Sequence, residues 1–471
     1  MVEPSAFISK PLSSRAQAEL QRFEHDTAAD TLAHYGQDWT RFKRPDPALV
    51  VWPRDTDEVV ALVEWARRHR VALVPSGGRT GLSGGAVAAA GEVVVSMDKL
   101  RRVLAFDPAT PALHVQAGVT IAEVQAAAVA QGLYYPVDWA AAGSSQVGGS
   151  IATNAGGIRV LRYGMTRDWV LGLEVVTGRG EVLQLNRGLL KNNAGLDLRH
   201  LMIGSEGVLG LITEATLRLT QPPVEQSVLL LALTRLDGLM PVLQALRQAL
   251  SLSAFEFFDR ASVAQVAEAS GQTLPIDDTA PFYVLAEFDS PQQNDDDNAL
   301  RVFEQLMDEG WVGDGTLSQS AMQAQALWRW REAISESIAH RTPYKNDLSV
   351  PIAQLPAFLT KLAALVTEAY PQFDVLWYGH LGDGNLHMNV LRPEGAEADE
   401  FHAQCNALTP AVFALVQQHG GSVSAEHGVG LLKRDYLHYT RSAEEIAMMR
   451  QIKAVLDPDG ILNPGKMLPL G

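Results

Sequence analysis

Apolar positions recur along this chain at two spacings, and the changes from one to the other mark out its elements. Residues 15–40 carry apolar side chains three and four apart, the period of a helix, until Arg44-Pro45-Asp46-Pro47 breaks the pattern. Residues 49–53 predict a short strand. Residues 55–70 predict an amphipathic helix starting at Asp55 or Thr56 and closing on Arg67-Arg68-His69-Arg70, the order of charge a helix dipole favours. A buried strand follows at 71–74, then strands at 93–97, 103–106 and 112–117, an alanine-rich helix at 120–131 and a strand at 212–219. Pro222-Pro223 marks a boundary. Beyond it, strands at 227–233, 255–258 and 282–288 alternate with helices at 236–250, 261–269, 298–309, 321–340 and 355–370. The acidic run Asp295-Asp296-Asp297 reads as a solvated loop. The pattern predicts an α+β protein: a mixed first domain at 1–221, an antiparallel α+β second domain at 222–425, and a turn-rich C-terminal segment at 426–471.

Three glycine-rich tracts interrupt the first domain. The first is Pro75-Ser76-Gly77-Gly78-Arg79-Thr80-Gly81-Leu82-Ser83-Gly84-Gly85. Its glycines let the backbone turn and expose successive N–H groups, and such a concave row of donors suits phosphate oxygens. The spacing is not that of a Rossmann fingerprint, and a Lys-Ser/Thr pair is lacking for a Walker loop. The second tract runs over 142–157 without a charge until Arg159, and includes Gly143-Ser144, Gly148-Gly149, Thr153-Asn154 and Gly156-Gly157. The third is Gly204-Ser205-Glu206-Gly207-Val208-Leu209-Gly210. Three such segments predict one extended cofactor lying across the first domain.

The second domain holds Trp377-Tyr378-Gly379-His380-Leu381-Gly382-Asp383-Gly384-Asn385-Leu386-His387-Met388-Asn389. Asp383-Gly384 between two apolar runs predicts a tight hairpin. With the turn there, His380 faces His387 across the ladder at about 5 Å between Cβ atoms, and Tyr378 and Asn389 share their face. Two imidazoles so placed can share a metal. Taken alone the pair is little better than coincidence; Glu426-His427 amid small residues, in Ser424-Ala425-Glu426-His427-Gly428-Val429-Gly430, shifts the balance to a site. Two His and one Glu form a set for zinc or a similar divalent ion that leaves a position open for substrate.

Composition narrows the classes. A chain of 471 residues is too long for one ordinary core. Its net charge of −16 argues against nucleic acid and against an anionic membrane surface, so cations that bind an anionic substrate must be local. The single cysteine, Cys405, lies in a predicted helix; no disulfide framework is possible, which fits a reducing compartment. Residues 1–20 show no apolar leader core and no stretch reads as long enough to span a bilayer, so a cytoplasmic location with no transmembrane segment is expected.

In their order, these motifs resemble the FAD-linked oxidoreductases of the vanillyl-alcohol-oxidase fold, and within them the D-2-hydroxyacid dehydrogenase branch, over nearly the whole chain. The resemblance implies a PCMH-type FAD-binding domain, an antiparallel-sheet substrate (cap) domain and a C-terminal segment returning to the FAD domain. It implies FAD pyrophosphate contacts from Pro75, Ser76, Gly77, Gly78, Arg79, Thr80, Gly81 and Gly84, and further FAD contacts from Gly143, Ser144, Gly148, Gly149, Thr153, Asn154, Gly156 and Gly157. Glu206, Gly207 and Ile212 would approach the adenosine half, and Asn463 the isoalloxazine. His380, His387 and Glu426 would bind zinc, with His427 as base. Covalent members of this fold often carry His in the first glycine loop; Thr80 here implies non-covalent FAD.

Trp328-Arg329-Trp330-Arg331-Glu332-Ala333-Ile334-Ser335 and Tyr344-Lys345-Asn346-Asp347-Leu348-Ser349 resemble the D-2-hydroxyglutarate dehydrogenases, in which Arg, Thr and Lys surround the substrate carboxylates. Arg331 and Lys345 match, Ser335 stands where Thr is more usual, and Asn389 joins the substrate set. The resemblance implies zinc-assisted oxidation of a small anionic D-2-hydroxy acid by hydride transfer to flavin, with D-2-hydroxyglutarate favoured. D-lactate and D-malate dehydrogenases and the flavin subunit of glycolate oxidase are alternatives, and a metal-dependent hydrolase is an alternative of another class. An electron acceptor is required, electron-transfer flavoprotein being one such partner, and a homodimer is compatible with the family.

Overall fold

The computed structural model describes residues 12–40, 42–291 and 293–469; the reading of 1–20 as lacking an apolar leader lies partly outside them. The chain forms two compact units. One comprises the described residues up to Gly157, Gly164–Pro222 and those from Glu426 onward; the other comprises Ile158–Tyr163 and Pro223–Ala425.

The first unit holds two sheets. The smaller contains β1 (His25–Asp26), β2 (Leu49–Val51), β3 (Leu73–Ser76) and β4 (Val93–Ser96) in the order β1-β2-β4-β3. The three longer strands are almost wholly apolar and pair in parallel, as expected of strands covered on both faces. Helix Thr56–His69 covers one side: Asp55 caps its N-terminus by accepting from Glu58 N–H, and Val59, Leu62, Val63, Trp65 and Ala66 meet Leu49, Val51, Val93 and Val95 in the core. The helix expected over 15–40 is instead two, Ser14–Leu20 and Ala29–Tyr35, because His25 and Asp26 between them pair with Val51 and Val50 as an edge strand. The larger sheet contains β5 (Val103–Asp107), β6 (Ala112–Gln116), β7 (Val170–Thr177), β8 (Val182–Leu185) and β9 (Gly210–Arg218), all antiparallel, in the order β5-β6-β9-β7-β8. Periodicity assigns no element to β7 and β8. The charge-free second glycine tract contains a helix, Val147–Thr153.

The second unit is one antiparallel sheet with helices. Its strands are β10 (Gln226–Leu233), β11 (Leu252–Asp259), β12 (Phe282–Asp289), β13 (Val312–Leu317), β14 (Tyr344–Ser349), β15 (Val375–Gly379) and β16 (Asn385–Val390), in the order β13-β10-β12-β11-β15-β16-β14. Helices Arg260–Ser270 and Ala321–Glu332 seal one face with Val263, Val266, Leu327, Trp328 and Trp330 against Leu230, Phe258, Tyr283, Leu285 and Leu376. The excursion Ile158–Tyr163 is pinned there by Arg159, which donates to both oxygens of Glu287 at 2.9 and 3.2 Å. Glu287 is buried and also accepts from Trp328 Nε1 and Ser253 Oγ, so its charge is fully engaged.

Two expectations are corrected here. Asp295 and Asp296 form the first turn of helix Gln293–Asp308, where carboxylates stabilise the positive end of the dipole, and are not a loop. The segment Ile352–Ala369 is long and apolar enough to cross a membrane by length and composition, contrary to the hydropathy reading. In this fold its residues Leu355, Phe358, Leu359, Leu362 and Val366 are buried and most of the rest of the segment is not.

Candidate active site

In the first unit the glycine tracts and the C-terminal segment meet at the end of β3. Leu462 pairs in parallel with Leu73, which places Asn463 beside the first tract. Asn463 is 1% exposed and donates from Nδ2 to the carbonyls of Gly85 and Glu206, at 2.9 and 2.8 Å. The Glu206 carboxylate accepts from the backbone N–H groups of Val429 and Gly430, both at 2.7 Å. Burial pushes its carboxyl pKa up, and those two donors pull it back down. First and second tracts touch: a Cβ on Gly78 would stand 2.0 Å from the Ser144 carbonyl, so only glycine allows this approach. Thr80 Oγ1 lies 2.8 Å from Ser145 Oγ.

The residues fit FAD on two observations. Ser76 Oγ, Tyr135 Oη and Asn463 Oδ1 are buried polar atoms without a hydrogen-bond partner, which a polar ligand would satisfy. A Cβ on Gly143 or Gly149 would meet nothing within 4 Å, so both positions leave room for a bound group. Pro75, Gly77, Arg79, Gly81 and Gly84 lie in the first tract and Gly207 in the third. Gly148 packs on Ala117, and Gly156 and Gly157 are buried, Gly157 against the Asp138 carbonyl. Three expected FAD residues are engaged within the protein: Thr153 Oγ1 donates to the Gly149 carbonyl, Asn154 Oδ1 accepts from Arg167 N–H, and Ile212 is buried in β9.

In the second unit the polar candidates share one face of the seven-stranded sheet. Side chains alternate along a strand, so the pairings Tyr378↔His387, Asp347↔His387, Lys345↔Asn389 and Phe258↔Tyr378 put all these residues on the same side. The register differs from the expected one. β15 ends at Gly379 and residues 380–384 form the loop, with His380 C=O accepting from both Asp383 and Asn385 N–H. Tyr378, not His380, therefore stands opposite His387. A shift of two residues keeps every side chain on its face, and the two imidazole rings still lie 5.3 Å apart. Gly384 closes the loop at φ 94°.

Each imidazole has a carboxylate behind it. Glu256 Oε1 accepts from His380 Nδ1 at 2.8 Å, and Asp347 Oδ1 lies 3.7 Å from His387 Nδ1. Asp347 also accepts from Asn385 Nδ2 at 2.9 Å and from Ala425 N–H at 3.0 Å, which fixes the chain immediately before Glu426. Burial pushes the nearby Asp383 carboxyl up to about 6. Glu426 and His427 lie in a bend that continues into Gly428 at φ 80°, and His427 Nε2 stands 3.9 Å from Glu426 Oε1. An extended segment would send these neighbours to opposite sides; the bend brings them together.

Arg331, 6% exposed, lies 2.8 Å from Glu256 as an ion pair and 4.9 Å over the Tyr378 ring, whose hydroxyl is 2.9 Å from Ser335 Oγ. Lys345 is exposed on the edge strand and makes no ion pair among the described residues. Across from it Asn389 is 1% exposed, with neither amide atom hydrogen-bonded. Sequence reasoning missed Glu256 and the part played by Asp347. The signal for Glu256 was a lone carboxylate inside the aromatic strand Phe255-Glu256-Phe257-Phe258, which demands buried partners.

Comparison with known proteins follows this geometry. A family described as the FAD binding domain matches residues 47–186, and one described as the C-terminal domain of FAD linked oxidases matches residues 222–467. A D-2-hydroxyglutarate dehydrogenase of Stutzerimonas stutzeri is 52% identical over 441 residues, 94% of this chain and 95% of that one. Another, of Xanthomonas citri pv. viticola, is 54% identical over 436 residues, 93% and 92% of the two chains. The solved structure of p-cresol methylhydroxylase superposes with a TM-score of 0.78 over 100% of this chain and 99% of that one, at 14% identity, which shows a shared fold.

Proposed function

This chain belongs to the FAD-linked oxidases, in the branch of D-2-hydroxyacid dehydrogenases, and from that premise we propose that it oxidises D-2-hydroxyglutarate to the 2-keto acid with the help of a bound divalent metal, zinc first. The observation that carries the substrate choice is the pair Lys345 and Asn389. An unpaired cation stands beside a buried amide with both polar atoms free, on the sheet face that also carries His387. Arg331 adds a second cation, and two cations suit two carboxylates. Family membership removes the hydrolase alternative.

His380, His387 and Glu426 would hold the metal, whose chemistry would be to polarise the C2 hydroxyl and lower its pKa. FAD, when bound, supplies the two-electron acceptor for the C2 hydrogen. Arg331 and Lys345 bind and orient the carboxylates. Asn389 hydrogen-bonds the substrate through its free amide. His427 takes the hydroxyl proton on a ring nitrogen, which suits a group of reference pKa about 6.5. Ser335, bonded to Tyr378, shapes the wall beside Arg331.

Lys345→Met tests the dicarboxylate reading. A charge-assisted hydrogen bond contributes about 1.5–3 kcal/mol, so KM for D-2-hydroxyglutarate should rise about tenfold or more, with little change for the monocarboxylic D-lactate. Equal changes for both substrates, or none for either, would contradict it.

A further inference from the structure

Glu206 is a buried carboxylate that takes no part in the proposed reaction. It is 7% exposed and sits at φ 49°, a left-handed backbone that a residue other than glycine keeps only where its surroundings hold it there. Both of its oxygens are engaged by the protein's own backbone. Oε1 accepts from Val429 N–H and Oε2 from Gly430 N–H, each at 2.7 Å, and Lys433 lends a nearby positive charge. The main-chain carbonyl of Glu206 accepts from Asn463 Nδ2 at 2.8 Å.

The two donors belong to the segment that directly follows Glu426 and His427, and that segment is closely seated on the glycine tracts. In the first tract the Ser83 carbonyl accepts from Leu431 and Leu432 N–H at 2.9 and 3.1 Å, and a Cβ on Gly430 would stand 2.1 Å from the same carbonyl. A Cβ on Gly428 would stand 3.1 Å from Glu206 Oε1. The chain therefore leaves His427 through a turn whose next two N–H groups end on one carboxylate. Burying that charge is costly unless it is hydrogen-bonded, and a neutral amide offers only one acceptor oxygen for the two donors. We propose that Glu206 is a positioning residue: its side chain holds the turn after His427 and so aims Glu426 and His427, while its carbonyl holds Asn463. The metal ligand, the base and the FAD cradle then share one anchor. This rests on the roles proposed above for Glu426 and His427.

Glu206→Gln keeps the shape and sets an NH2 group against one of the two N–H donors. Zinc affinity, read by competition with a chromophoric chelator, should fall about 10- to 100-fold, and kcat by a similar factor. The fall in kcat should exceed any rise in KM for D-2-hydroxyglutarate, because Arg331, Lys345 and Asn389 belong to the other unit. FAD content should stay that of the unaltered protein, since the contact with Asn463 uses a main-chain carbonyl that the substitution keeps. Glu206→Asp, which retains the charge and both acceptor oxygens, should recover part of both losses. Glu426→Ala separates the two layers of the argument: zinc affinity left intact there overturns the metal reading, and the positioning role with it. If Glu426→Ala loses zinc while Glu206→Gln changes neither zinc affinity nor kcat, the positioning role alone is overturned. FAD lost from Glu206→Gln in step with zinc, or failure of both Glu206 variants to fold, also overturns it, because the carboxylate is then a requirement of the fold.

Discussion

Purified Glu426→Ala protein should carry only traces of zinc, retain its FAD, and turn over on the order of 10³-fold more slowly. The expectation follows from the donor set. His380 and His387 bring two ring nitrogens from one sheet face, with ring centroids 5.3 Å apart, each backed by a carboxylate. Two neutral imidazoles bind a divalent ion weakly without an anionic third ligand, and two His with one carboxylate is a recurring catalytic zinc set. Ala425, the residue before Glu426, donates its N–H to Asp347 at 3.0 Å. Losing Lewis acidity worth several kcal/mol accounts for the rate. FAD should survive because Asn463, which would hold it, is itself held by the carbonyls of Gly85 and Glu206. Zinc retained at full stoichiometry in this variant would remove Glu426 from the metal site.

His427→Ala should behave differently: zinc and FAD stay, and kcat falls about 10²–10⁴-fold, the usual contribution of a general base. The bend that brings His427 Nε2 within 3.9 Å of Glu426 makes this experiment sharper, since geometry alone permits His427 to reach the same ion as Glu426. Metal content therefore decides the role. Zinc lost from His427→Ala as fully as from Glu426→Ala would make His427 a ligand, and another group would have to take the proton.

The parts of this protein that could be read from its sequence are those encoded by local rules. Apolar runs such as Val93-Val94-Val95 become buried strands, and the glycine tracts become the close backbone approach of Gly78 to Ser144. The shared face of His387, Tyr378 and Asn389 survives a two-residue error in register, because side-chain alternation has a period of two, while His380, in the loop beyond β15, keeps its ring 5.3 Å from that of His387. What could not be read depends on contacts distant in sequence. Nothing local says that His25 and Asp26 will break a helix to pair with β2, or that Ile158–Tyr163 will belong to the second unit through Arg159 and Glu287. Strand β13, with two glycines and an aspartate, has no apolar alternation to betray it. Glu256 shows the same limit: its strand is predictable, while its partners His380 and Arg331 come from the β15–β16 loop and a helix far along the chain.

The most direct test of the central claim is the turnover of the zinc-loaded flavoprotein on a panel of D- and L-2-hydroxy acids with an artificial dye as acceptor. D-2-hydroxyglutarate should give the highest kcat/KM, with its L enantiomer inert and D-lactate well below it. A higher kcat/KM for D-lactate than for D-2-hydroxyglutarate would contradict the assignment.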